Sequence, residues 1–149
     1  MATVFKCTGS DDALRAAAAA LEVMRLEQLN TGLPGGCLEY AFRLNRPGGT
    51  AERCRCLVQP GREGLSLRLM PESWSGFTPD EASHLAASGN ARLCKHRLWP
   101  PTLAPAGAGG LYLVQFLPYS PGLDRRTAEA LAVMLSIITD EEQLILEPG

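Results

Sequence analysis

The stretch that decides the fold is Leu-Tyr-Leu-Val-Gln-Phe-Leu (111–117), which is apolar at almost every position. An apolar run of this length, followed by a Pro/Gly break over 118–122, is typical of a strand that needs cover on both faces. An amphipathic helical pattern then runs from residue 123 to about residue 145. A buried strand that leads directly into such a helix predicts a core made of a sheet with a helix packed on it.

The composition is that of an ordinary globular protein. The chain has 149 residues, 46% hydrophobic and 20% charged, which predicts a single domain over 1–149 with a sizeable core. A formal charge of −2 gives no electrostatic signature for nucleic acid or an anionic membrane. Acidic Asp11 and Asp12 precede the alanine run 16–20, where a signal peptide needs basic residues. We therefore expect a cytoplasmic protein, and five cysteines, an odd number, favour reduced thiols.

The first half of the chain predicts a helix followed by three strands. Ser10 is a suitable N-cap and the alanine-rich sequence has high helix propensity, so we expect a helix over 11–29. Residues 1–8 could form a strand or an arm. Alternating apolar residues then predict strands at 37–44, 52–59 and 65–70. The connectors between these strands are short enough to join only antiparallel neighbours, which makes them a meander.

The second half predicts a helix, two strands and the long final helix. Thr78, Pro79 and Glu81 have the layout of a capped helix start, and Gly89-Asn90 predicts its end near residue 88. We expect a strand at 91–99, a loop over 100–110 and the strand 111–117. The predicted fold is therefore α+β, in the order α-βββ-α-ββ-α, with a curved, mainly antiparallel five-stranded sheet packed against helices.

This order of elements resembles that of the class I type III secretion chaperones and the related YbjN-like proteins. The closest local similarity is at the end, where Leu117-Pro118 and Leu123-Asp124 resemble the family's strand end, "LP" turn and "LD" helix start. The long amphipathic last helix also fits. The resemblance implies a cytoplasmic homodimer without a cofactor that holds a partly unfolded client protein and does not act as an enzyme.

Two sets of residues are candidates for these contacts. Leu57 and Met70 fall on the mainly polar face of the meander, so an apolar side chain there is a candidate partner-binding residue, although scattered surface apolar residues are common. The resemblance places dimerisation in the short second helix and the strand after it. The dimer-interface candidates are Ala82, Leu85, Leu93 and Trp99.

A second hypothesis, from another class, rests on the cysteines. Cys54-x-Cys56 and Cys94-x-His96 each place two ligands on one face of a strand, so adjacent strands could form a Cys₃His zinc site or a thiol enzyme site. Structural zinc sites usually use C-x₂₋₄-C turns, and buried core thiols account for the same cysteines. No catalytic residue, metal ligand or phosphate-binding loop is therefore assigned.

Overall fold

A computed structural model gives this chain an α+β fold and describes residues 27–30, 37–46, 48–95 and 99–147, with only the backbone at 27–30. In that part of the chain the elements are β1 (Glu27–Asn30), β2 (Leu38–Asn45), β3 (Ala51–Pro60), β4 (Gly64–Pro71), α1 (Pro79–Leu93), β5 (Thr102–Pro105), β6 (Leu111–Pro118), α2 (Leu123–Asp140) and α3 (Glu142–Ile145). A 3₁₀ turn, Glu72–Trp74, lies between β4 and α1.

All the described strands form one sheet in the order β1-β2-β3-β4-β6-β5, and every neighbouring pair is antiparallel. The predicted α+β class and antiparallel sheet are therefore confirmed. The predicted meander is confirmed as β2, β3 and β4. The sheet has six strands where we expected five, because the short strand β1 pairs with β2.

The start of the chain differs from the prediction at one point. Residues 1–26, which include the proposed arm and most of the helix expected over 11–29, lie outside the described residues. Residues 27–29 belong to β1, so a helix cannot extend to residue 29. The apolar stripe of that pattern ended earlier in the sequence, and pairing of Glu27 and Gln28 with β2 replaces helical hydrogen bonds there.

The first face of the sheet forms the core with the helices. Alternate residues of β2 to β6 point into it, as the predicted periodicity requires. The buried side chains of this face are Tyr40, Leu44, Cys54, Cys56, Val58, Leu65, Leu67, Leu69, Leu103, Leu111, Leu113 and Leu117. They form one cluster with Leu123, Leu131, Met134, Ile137 and Ile138 of α2, so α2 packs on this face.

Helix α1 starts as predicted and ends later. The Thr78 hydroxyl accepts from the Glu81 backbone N–H at 3.2 Å, and the Glu81 carboxylate accepts from the Thr78 N–H at 3.1 Å, which completes the capping box. The predicted stop at Gly89-Asn90 is wrong, because α1 continues to Leu93. A Cβ at Gly89 would lie 2.3 Å from Leu103 Cδ1, so this glycine permits close packing and does not end the helix.

Strand β5 lies within the segment that we expected to be a loop. The strand predicted at 91–99 is wrong, since its first residues belong to α1 and the strand is Thr102–Pro105. Asn90 explains this placement: its Nδ2 donates to the Leu103 carbonyl at 3.0 Å, and its Oδ1 accepts from the Leu103 N–H at 2.6 Å. These bonds satisfy the outer side of an edge strand, which helix α1 thereby covers.

The final helix is divided into two. Helix α2 ends at Asp140, Glu141 has φ −119°, and α3 turns from Glu142 to Ile145, whereas the pattern predicted one helix to about residue 145. Ile145 and Gly89 come close, because a Cβ at Gly89 would lie 2.7 Å from the Ile145 carbonyl oxygen. No helix in the described ranges is long and apolar enough to cross a membrane.

The second face of the sheet is only partly covered. It carries the residues that alternate with the first face, namely Glu39, Ala41, Arg43, Arg53, Arg55, Leu57, Arg68, Met70, Tyr112, Val114 and Phe116. The segment 111–117 was expected to be covered on both faces, but Tyr112 and Val114 are half-buried and Phe116 is 43% exposed. The apolar character of β6 therefore extends onto a surface that the described helices α1, α2 and α3 leave open.

Candidate functional site

The two predicted partner-binding residues both lie on the second face but differ in exposure. Leu57 is half-buried and opposite Arg68. Met70 is only 6% exposed, so the expectation that it offers an accessible contact is wrong. The cause is the nearby backbone: a Cβ at Gly110 would lie 2.8 Å from Met70 Cε and 3.3 Å from Ser75 Cα. The segments around Ser75 and Gly110 thus close over this end of the face.

The four predicted dimer-interface residues are also divided. Ala82 and Leu93 are buried in the core of the chain itself, so the expectation that they face a second copy is wrong. They are buried because α1 presents this side to β5 and α3. Leu85 is half-buried, and Trp99 is 73% exposed. Only Leu85 and Trp99 retain surface for a contact with another molecule.

The cysteines expected to act together are not brought together. Cys54 and Cys56 are buried on the first face, whereas Cys94 is exposed just after α1. His96 lies outside the described residues. Among the side chains that the structure describes, no group of three His, Cys, Asp or Glu residues could hold a metal ion. The hypothesis of a zinc site therefore gains no support from these cysteines.

The buried thiols are also poor nucleophiles. Burial raises the pKa of the Cys54 thiol to about 12, and the charge of Glu52 acts in the same direction. Burial likewise raises the pKa of Cys56. Because the thiolate is the reactive form, both thiols remain protonated at neutral pH and behave as small core residues.

The charged residues of the second face are mostly arginines. The described side chains of this face include Arg43, Arg53, Arg55 and Arg68 against a single carboxylate, Glu39. Arg55 uses that carboxylate, with Nη2 2.8 Å and Nε 2.9 Å from Glu39 Oε1. The described side chains of this face are therefore mostly cationic, although the whole chain has a formal charge of −2.

Arg43 and Arg53 stand directly opposite each other on β2 and β3. Like charges at such positions disfavour the pairing of the strands. Both side chains are exposed, and within the described ranges neither has a carboxylate at ion-pair distance. Folding therefore places together two cations that no anion of the described chain neutralises.

Two cavities open beside these cations. One of about 330 Å³ is lined by Arg53, Arg55 and Glu39, with Met70 and Glu72 at its border. A second of about 200 Å³ is lined by Arg43 and Arg53 together with Ala41 and Phe42. The guanidinium groups thus border concave surface that an extended side chain can enter.

Arg68 lies farther along the same face among apolar side chains. Its guanidinium carbon is 5.8 Å from the centre of the Tyr112 ring, a cation–π distance. Its Nε is buried and has no hydrogen-bond partner. A buried N–H without an acceptor is costly, so this position has an unused donor toward the second face.

A different cavity, of about 610 Å³, lies beside Arg46 at the end of the β2–β3 hairpin. Arg46 donates to both oxygens of Glu142, at 2.5 and 3.0 Å, and to the Ile138 carbonyl at 3.0 Å. Its Nε also donates to Glu52 at 3.3 Å, and Trp74 Nε1 donates to Glu142 at 2.6 Å. These groups satisfy one another, so we interpret this site as a clamp that holds the fold.

The paired arginines of the second face were not among the predicted site residues. Arg43 and Arg53 lie in the strands predicted at 37–44 and 52–59, but the sequence was not used to predict the register of these strands. The sequence does contain this information, because the length of the turn between β2 and β3 sets the register that places Arg43 opposite Arg53. The packing of Ser75 and Gly110 over Met70 has no such signal, since it depends on contacts distant in sequence.

The known proteins do not identify this chain. A scan against models of protein families gave no match, and neither curated proteins nor solved structures gave a significant one.

Proposed function

We propose that the chain is a non-enzymatic protein-binding module that holds an extended segment of a partly unfolded client polypeptide on the second face of its sheet. The observation that supports this most strongly is the exposed part of β6. Phe116 is 43% exposed, and Val114 and Tyr112 are half-buried on the same face. Contiguous apolar surface on a sheet face is a feature of protein interaction sites.

The hydrogen bonds at the β5 edge of the sheet indicate how a client polypeptide binds. A client that extended the sheet at β5 would need the N–H and carbonyl groups of Leu103, and Asn90 already binds both. Pro105 also lacks a backbone donor. With the β5 edge closed in this way, we place the client on the second face, where side chains of an extended segment can pack across Leu57, Val114 and Phe116.

We also propose, following the resemblance to secretion chaperones, that the protein is a cytoplasmic homodimer. Trp99 supports this proposal because a tryptophan that is 73% exposed is a suitable interface anchor. Free thiols at Cys37 and Cys94 suit a reducing compartment.

A peptide-binding measurement tests the proposed face. The probe is a fluorescein-labelled 12-residue peptide of alternating leucine and serine, followed by fluorescence anisotropy. We expect saturable binding that weakens about tenfold in Phe116→Ser, because the variant loses about 1.4 kcal/mol of apolar contact.

The matched control is Val133→Ser, since Val133 is 45% exposed on α2, away from the sheet. This variant should bind as the native protein does. Hydrogen exchange gives a second readout, with slower exchange expected in β3, β4 and β6 on binding. Equal binding by both variants, or protection confined to the helices, would contradict the proposal.

A further inference from the structure

The arginines of the second face indicate the chemistry of the client, and this inference rests on the proposed function. Three observations are independent of the apolar surface used above. Arg43 and Arg53 are directly opposite each other, cavities open beside both, and Arg68 has a buried Nε without an acceptor. All three are features of cationic side chains on the same face, and an anion is the group that complements them.

We propose that the second face selects an extended client segment whose side chains directed toward the sheet are carboxylates at one end and apolar residues at the other. Its carboxylates bind the guanidinium groups of Arg43 and Arg53. Its apolar side chains pack on Leu57, Val114 and Phe116. Guanidinium groups bind carboxylates in a bidentate geometry, which gives the contact direction as well as charge. An anion bound between Arg43 and Arg53 also offsets the repulsion between these two like charges.

The spacing on the sheet explains why the anion belongs to an extended polypeptide. Arg43 and Arg53 lie on β2 and β3, whereas Phe116 lies on β6, two strands away from β3. The register also places Phe116 level with Gln59, six residues along β3 from Arg53, so at about 3.3 Å per residue the cationic and apolar parts are roughly 20 Å apart along the strand. A short acidic segment in extended form covers that distance, while a single small anion occupies only the arginine end.

Single-stranded nucleic acid is the competing anion, and the face suits it poorly. Nucleic-acid sites combine a basic track with several stacking aromatic rings. Here Glu39 lies beside Arg55, Glu72 borders the arginine-lined cavity, and the Tyr112 ring is already under Arg68. A nucleic-acid strand carries a phosphate at every nucleotide, so some of them would lie close to Glu39 and Glu72 and be repelled. An acidic peptide carries separate carboxylates, which can lie away from these two residues.

The test compares two labelled peptides on the full chain. Both have 12 residues with serine at every second position. The other positions are leucine in one half and, in the second half, glutamine in the neutral peptide and glutamate in the acidic one. We expect the acidic peptide to bind about tenfold more tightly at low salt, and the difference to shrink at high ionic strength because these exposed charges are screened. The double variant Arg43→Gln/Arg53→Gln should lose the preference while it binds the neutral peptide unchanged.

The control is Arg62→Gln/Arg125→Gln, which removes two exposed arginines from a turn and from α2 and should keep the preference. Thermal unfolding separates binding from folding: the Arg43→Gln/Arg53→Gln variant should melt no lower than the native protein, because it removes a repulsion. A lower melting temperature would assign these arginines to folding and overturn the inference.

Failure of this inference is distinguishable from failure of the proposed function. If the neutral peptide binds in a Phe116-dependent manner and glutamate brings no preference, the face holds polypeptides without selecting charge. If neither peptide binds, both proposals fall. If a 12-nucleotide single strand binds with the same dependence on Arg43 and Arg53 and more tightly than the acidic peptide, the client is not a polypeptide and the inference is overturned.

Discussion

Arg46 shows how one side chain can hold together parts of the chain that are far apart in sequence. It binds Glu52 on β3, the Ile138 carbonyl at the end of α2 and Glu142 at the start of α3. Burial tends to lower the pKa of its guanidinium, but the hydrogen bonds and charges of Glu52 and Glu142 outweigh burial and raise it. The arginine therefore fixes the position at which the final helix divides.

Replacing Arg46 tests this clamp. Arg46→Met leaves two carboxylates close together and the Ile138 carbonyl without its donor. We expect the free energy of unfolding to fall by about 2–3 kcal/mol, the usual cost of removing one partner from a part-buried charged pair. Chemical denaturation measures it. Arg43→Met, an exposed arginine nearby on β2, should change it by less than about 0.5 kcal/mol; equal effects would contradict the clamp.

Acid provides a second readout of the same clamp. Burial tends to raise the pKa of Glu52, but hydrogen bonds from Ser73 and Arg46 outweigh it and hold the pKa below its ordinary value of 4.5. A carboxylate with a lowered pKa contributes stability above its unfolded pKa and loses it as the pH falls through the folded pKa. The native protein should therefore lose stability below about pH 4.5 more steeply than Arg46→Met.

At the scale of elements, the sequence predicted the parts that local patterns determine. The alternation in β2, β3 and β4 and the capping box of Thr78 and Glu81 needed no tertiary information, and all were found. The end of α1 was not predictable in this way. Gly89 and Asn90 are a common sequence for the end of a helix. Here both residues contact Leu103, which is close to them only in the folded chain, and the helix continues beyond them.

The same reasoning gives an unusual expectation for Gly89→Ala. In an exposed helix interior this change stabilises by about 1 kcal/mol, because alanine has the higher helix propensity. Here the new Cβ would lie 2.7 Å from the Ile145 carbonyl oxygen, a backbone atom. We expect the free energy of unfolding to decrease by about 1–3 kcal/mol, as measured by thermal or chemical unfolding.

Gly76→Ala is the control for that substitution. A Cβ at Gly76 meets nothing within 4 Å, so we expect a change of less than about 0.5 kcal/mol. If Gly89→Ala instead stabilises the protein, the close approach of α1 to α3 is not a feature of the folded state in solution.

At the scale of the whole molecule, the sheet separates two roles. Its first face is buried with the helices and supplies the stability of the fold. Its second face combines arginines with half-buried apolar side chains and the exposed Phe116, a combination that the formal net charge of −2 conceals. Composition therefore could not predict the charge of the candidate site, because the strand register decides which charges share a face.

The proposed homodimer makes a prediction at this scale. Trp99→Ser should convert the dimer to a monomer in light scattering at micromolar concentration, because a large exposed aromatic anchor is lost. Phe116→Ser should leave the mass unchanged, since we assign that residue to client binding. A monomeric native protein, or a Trp99→Ser variant that keeps the dimer mass, would contradict this interface.

The hydrogen bonds between Asn90 and Leu103 have a consequence for self-association. A fibre built by adding strand to strand requires every molecule to offer a border on both its left and its right, and α1 closes the border at β5. If two molecules pair through the opposite edge of the sheet, at β1, neither has a second edge with which to bind a third molecule. Such growth therefore stops at a discrete pair and cannot continue into a filament.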